Sequence, residues 1–290
     1  MDGELWTELY HCIELVAQTH SQKPMGFSDA VIVTTYAWSV VHDRPTCWAC
    51  DRDNWPPDRQ GPLPSQPTMS RRLKHDEGVR RFLRELEAWM DGCLCLRGLI
   101  LCRLLDGKPL PIGRHSHDPD ADFGRGSRGI DKGYKAHLLW HASPLPIWEV
   151  RPMNVAEPTM ALRLISRAAG EGYVLADKSY DSNPLHRRAS AKGLQLVAPP
   201  KKDKGAGRGH HRQSPARLHA LEMLRRPMGR DLMRLRVRVE QRLGNLCSFG
   251  GGLAPLPSWV RRLDRVRRWV QMKLVINALR IRRVLERDAA

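Results

Sequence analysis

The chain has no apolar run long enough to cross a bilayer. Its longest, Ala30 to Val41, is short and threonine-rich, whereas a spanning helix needs about 20 apolar residues. It opens on MDGELWTELYHCIEL, with acids where a signal peptide has a basic segment. No repeat is visible, and no cysteine framework: the seven cysteines, at 12, 47, 50, 93, 95, 102 and 247, are odd in number and irregularly spaced. A chain of 290 residues can bury a full core without disulfide staples. These absences exclude a membrane span and a disulfide scaffold, and a soluble, intracellular protein is expected. Two smaller motifs are incomplete. Cys47-x2-Cys50, with His42 and His75 near it, lacks the second Cys pair of a zinc site, and Trp48 beside it indicates packing. Gly205 to His211, GAGRGHH, lacks the strand, helix and Lys-Ser/Thr of a nucleotide-binding loop.

What the chain has in excess is positive charge, and it is unevenly spread. The net charge is +17; residues 201–290 hold 23 Lys and Arg against 7 Asp and Glu, while residues 1–200 hold 25 against 24. Charge concentrated in one third of a chain indicates a polyanionic partner, nucleic acid first among them.

Residues 1–95 read as a smaller helical domain, with Ser28 capping a buried helix over SDAVIVTTYAWSVV. Ser65 to Lys74 carries Thr68, Ser70, Arg71, Arg72 and Lys74 on a short helix. That pattern suits the second helix of a helix-turn-helix, with Arg71 and Arg72 on DNA, and equally suits ordinary helix packing. From about residue 96 the texture becomes α/β. Apolar runs end at Asp106 and Asp177, with short strands at Pro109–Ile112, KAHLLWHA, PIWEVRPM and LQLVAPP. A Gly-rich polar loop, 114–134, carries His115 and His117, and long helices are expected over Asp231–Leu246 and Pro257–Arg287. The order implies a mixed sheet flanked by helices, in a second domain spanning 96–290.

The acids define the chemistry. Asp177, closing GYVLAD, is either a turn residue or a carboxylate displayed at a strand tip. Asp106 has the same placement, and two such strands side by side would bring like charges together unless a cation lies between them. Carboxylate oxygens of that kind suit Mg2+ or Mn2+. Glu240 lies four residues after Arg236 on a helix with an apolar stripe of Leu232, Leu235, Val239, Leu243 and Leu246; as bare residues the two read as a surface ion pair or as functional groups at the stripe's margin. Along Trp259 to Val270, Arg261, Arg262, Arg265 and Arg268 occupy the sides opposite Trp259, Leu263, Val266 and Val270, as a helix gripping a phosphate backbone would arrange them.

Taken together, LLDGKPL, YVLADKSYDS and RVRVEQRLGNL resemble the DDE transposases of bacterial insertion sequences, in the branch with a Tyr-x2-Arg-x3-Glu-x6-Lys signature. The resemblance covers residues 95–285. It implies a ribonuclease H-like catalytic domain, with Asp106, Asp177 and Glu240 as catalytic acids holding Mg2+ or Mn2+, and Tyr180, Asp181 and Arg236 supporting them. Met233 and Cys247 stand where the signature has Tyr and Lys. The Lys helps to hold end DNA in that family, so Arg242 and the cluster from Arg261 to Arg268 are its candidate substitutes. The resemblance further implies double-stranded DNA as partner (element ends and target), a homodimer on DNA, and a bacterial, nucleoid-associated location. A nuclease that cuts without joining, or a DNA-binding remnant of a mobile element, would share these features.

Overall fold

The computed structural model describes residues 3–21, 26–57, 61–94, 101–126, 129–141, 143–201, 213–248, 252–253 and 255–288. Most of the basic loop after Lys201, with its GAGRGHH motif, lies outside them, as do Gly250 and Gly251 and the side chains of Cys93 and Cys95. The chain forms two compact units. The helical unit takes residues 1–95, 248–253 and 257–290; the sheet unit takes 96–247 and 254–256. The C-terminal segment therefore differs from the division read from sequence: residues 257–290 pack with the N-terminal helices.

In the helical unit, α1 (Gly3–Thr19), α2 (Asp29–Val41), α3 (Thr46–Ala49), α4 (Gln66–His75) and α5 (Glu77–Leu94) are joined by α11 (Leu263–Asp288). Ser28 accepts a hydrogen bond from the Val31 N–H and caps α2. Trp38 lies edge-on to Trp6 at 4.6 Å and stacks on Trp55 at 4.9 Å. Lys273 of α11 is fully buried, and donates to the Val40 carbonyl (2.9 Å) and to Asp43 (2.6 Å). Such a lysine ties α11 to α2, since a buried ammonium is tolerated only when paired. α11 begins at Leu263, not at Pro257, and Trp259 precedes it, 37 % exposed. No helix is long and apolar enough to cross a membrane, among the described residues.

The sheet unit contains β1 (Cys102–Pro111), β2 (Asp122–Gly126), β3 (Gly129–Trp140), β4 (Ile147–Pro152), β5 (Gly172–Leu175) and β6 (Leu194–Val197). The order is β2-β3-β1-β5-β6, with β4 also paired to β3. β3 is antiparallel to β1, whereas β1, β5 and β6 run parallel, so the sheet is mixed. Helices α6 (Glu157–Arg167) and α7 (Asn183–Ser190) cover one face, packing Leu164, Ile165, Leu185 and Ala189 on Leu105, Leu139, Val174 and Leu196. α8 (Pro215–Met223), α9 (Pro227–Leu235) and α10 (Val237–Ser248) follow.

Two elements depart from the sequence reading. The expected break after Asp106 is absent, because β1 pairs continuously with β3 from Leu104 to Pro111. Half of the Gly-rich stretch is strand rather than loop. A Cβ at Gly133 would come within 2.3 Å of the Leu110 carbonyl, and one at Gly124 within 2.2 Å of the Met153 carbonyl. These glycines mark close backbone approach.

A carboxylate pair at the ends of parallel strands

The site forms where β5 stops and β1 continues. In their parallel register Leu104 pairs with Leu175. Asp106 and Asp177 each follow two residues later, Asp106 within β1 and Asp177 just past the end of β5. Asp106 is half-buried. Its Oδ1 accepts the Gly107 N–H at 2.7 Å, and Arg236 Nη2 lies 3.6 Å from Oδ2. Burial raises its pKa; the Gly107 N–H and Arg236 oppose that, and the charges of Asp177 and Glu157 add to it. Asp177 caps a 3-10 turn, Lys178–Tyr180, with Oδ1 accepting from the Ser179 N–H (2.7 Å) and hydroxyl (2.5 Å). It is thus both turn residue and strand-tip carboxylate.

Tyr180 is 1 % exposed and its hydroxyl is buried without a hydrogen-bond partner among the described residues. Burial, then the charges of Glu157, Asp106 and Asp177, push its pKa well up, with Arg236 opposing. Asp181 has a different role. Its side chain is fully buried, holding Arg217 through two bonds (2.7 and 2.6 Å), His186 Nε2 (3.2 Å) and the Lys201 N–H (3.2 Å). Burial works to raise its pKa, but the Arg217 and His186 bonds outweigh it and hold the carboxyl far below the ordinary range. Asp181 anchors the turn carrying Asp177 to α7 and α8.

Glu240 is not brought to the pair. The helix expected over 231–246 breaks at Arg236, which lies between α9 and α10 and turns to Asp106, leaving Glu240 exposed. Among the described residues no three Asp, Glu, His or Cys side chains stand close enough to hold a metal ion. Two side chains of α10 come near β1: Arg238 is close enough to Cys102 to lower its pKa against burial, and Lys108 hydrogen-bonds Cys247. The acid that does approach the aspartates is Glu157, in the first turn of α6, bonded to Ser179 (2.9 Å) and Lys135 (2.8 Å). Burial raises the Glu157 pKa, but Lys135 and Ser179 bring it below the usual value. Nothing near Glu157 in sequence marks it. A lysine inside the apolar run KAHLLW is a signal, since a strand seldom buries an unpaired ammonium. Beside Asp177 and Glu157 opens a cleft of about 590 Å³ whose wall carries Arg125, Lys135, Lys178 and Lys201.

The donor set fits a divalent cation. Mg2+ takes one or two carboxylates and completes its shell with water, and two acids whose charges oppose one another beside an unpartnered Tyr hydroxyl offer such a place. Asp106 and Asp177 would hold it.

The basic residues divide. Arg71 is exposed on α4, but Arg72 is buried, donating to the Phe27 carbonyl (2.8 Å) and paired with Asp29 and Asp76. Arg268 is half-buried near Tyr36, and burial lowers its pKa. Arg72 leaves the set of expected DNA-binding residues, because its charge is committed to ion pairs inside the helical unit. Arg262 and Arg265 are exposed, Arg261 is half-buried and donates to the Pro257 and Val260 carbonyls, and Arg242 is half-buried on α10.

Fold and site together define an α/β protein with one acid within a central strand of a mixed sheet and a second just past the end of the neighbouring parallel strand. A family model described as a transposase DDE domain matches residues 97–280, and the chain belongs to that family. A piggyBac transposase synaptic complex with hairpin DNA is similar in structure, with 10% identity and a TM-score of 0.42 over 95% of this chain and 71% of that one. A search of curated proteins finds no match.

Proposed function

We propose that the chain cuts DNA at the ends of an insertion sequence and joins those ends to target DNA, with Mg2+ or Mn2+ at Asp106 and Asp177. The observation that carries this reading is the carboxylate pair on adjacent parallel strands, within a DDE transposase domain. The sheet unit is read as ribonuclease H-like and catalytic. Glu240, on α10, is proposed as the third ligand. A bound divalent ion stabilises charge on the entering and leaving oxygens of a phosphodiester. Around it, Arg125, Lys178 and Lys201 take the strand's phosphates in the cleft, and Arg236 holds Asp106 on its outer side. Double-stranded DNA is the proposed partner, bound by a homodimer. The test is incubation of the full chain with element-end DNA, a target plasmid and Mg2+. Joined products support the reading; cutting without joining reduces the protein to a nuclease.

Two further outcomes concern grip and reading. Neutralising Arg261, Arg262 and Arg265 together should weaken binding to all DNA alike and flatten the log–log salt dependence by about one unit for each phosphate no longer neutralised. Titrating labelled duplex at several salt concentrations checks this; an unchanged slope moves the binding face elsewhere. Arg71→Ala, on the exposed side of α4, should instead cost preference for element ends, about 1–3 kcal/mol for each base that Arg71 reads. Competition between end and random duplexes measures it.

A further inference from the structure

Glu157 belongs to none of the signature positions, yet it is bonded to Ser179 beside Asp177, and its charge acts on Asp106. Its two oxygens are bonded in different directions: Oε1 to Lys135 Nζ at 2.8 Å and Oε2 to the Ser179 hydroxyl at 2.9 Å. That hydroxyl is 2.5 Å from Asp177 Oδ1, which also takes the Ser179 N–H at 2.7 Å. Lys135 is 5 % exposed, so its ammonium is fixed in place and fixes Glu157 in turn. The same ion pair lies against β1 immediately after Asp106: a Cβ on Gly107 would come 3.1 Å from Lys135 Cδ and 3.4 Å from Glu157 Oε1.

The geometry points to Glu157 as a positioning residue for the carboxylate pair. It acts through Ser179, whose single hydroxyl proton is shared between Glu157 Oε2 and Asp177 Oδ1 in a three-centre bond; Lys135 supplies the charge that lets a third acid stand so close. The Tyr180 hydroxyl, buried without a hydrogen-bond partner among the described residues, feels the charges of Glu157, Asp106 and Asp177 alike. The inference rests on the metal reading of Asp106 and Asp177. It adds a residue that orients a ligand without being one, a role whose loss typically costs 10–100-fold in metal affinity.

The test is Mn2+ affinity of the full chain without DNA, measured by electron paramagnetic resonance of free Mn2+. Asp177→Asn should abolish binding. Glu157→Gln and Ser179→Ala should each weaken it by about tenfold, and the double variant should be no weaker than either single, because both cut one connection. Ser179→Thr, which keeps the hydroxyl, should bind as the parent does. If Glu157→Gln fails to fold by circular dichroism, the comparison of Ser179→Ala with Ser179→Thr still decides. Parent-like affinity in Glu157→Gln or Ser179→Ala, or additive losses, overturns the positioning role and leaves the metal reading standing. Unchanged Mn2+ binding in Asp177→Asn overturns the metal reading and the positioning role with it.

Discussion

Asp177→Asn or Asp106→Asn is expected to lower DNA cleavage by about a thousandfold while leaving DNA affinity and folding intact, since the several kcal/mol supplied by a bound ion correspond to at least that factor. The amide keeps the shape of the carboxylate. At Asp177 it can still accept from Ser179, so the turn survives. What it loses is the charge that holds a divalent cation. Glu240→Gln should fall as far if Glu240 completes the ligand set on α10, and this variant separates its exposed position in the free protein from its proposed role with DNA. Cleavage of labelled end DNA, with binding by gel shift as control, gives the answer. Parent-like cleavage in Asp106→Asn or Asp177→Asn would sink the catalytic assignment; parent-like cleavage in Glu240→Gln alone would remove only the third ligand.

The largest stability effect is expected at Asp181. Asp181→Asn leaves the Arg217 guanidinium without the buried carboxylate it grips with two bonds, and breaking such a pair costs about 3 kcal/mol or more. The pH dependence has a definite sign. The folded pKa of Asp181 is depressed, so its contribution is fully present above the unfolded value of about 3.9 and is lost as pH falls through the lower folded value. Parent and variant should therefore differ fully near neutrality and converge only well below about pH 4. Urea unfolding across that range measures it, and a difference insensitive to acid would mean that impaired packing, not the charge, is responsible.

Such an anchor is consistent with the spacing of YVLADKSYDS. Asp177 and Asp181 stand four apart, but the 3-10 turn between them sends one carboxylate to the strand end and the other into the interior beside α7 and α8. Two acids in one short motif thus do unlike work. The difference is set by what packs on each: Ser179 within the turn for Asp177, and Arg217, 36 residues away, for Asp181.

By itself the sequence determined what depends on near neighbours. The apolar runs ending in Asp106 and Asp177, the Ser28 cap, the mixed α/β order and the concentration of charge after residue 200 all follow from spacing and composition. Tertiary structure alone decided what depends on partners far along the chain. Arg72 and Arg71 are adjacent and identical in type, yet Asp29, 43 residues from Arg72, commits one to the interior while the other meets solvent. Glu157 became part of the site because Ser179, 22 residues on, reaches it, and Glu240 stood apart because the helix breaks at Arg236. α11 joined the N-terminal helices because Lys273 finds its partners at Val40 and Asp43. Periodicity says which side of a helix is buried and charge says what it can pair with, but the identity of the partner is fixed only when the chain closes on itself.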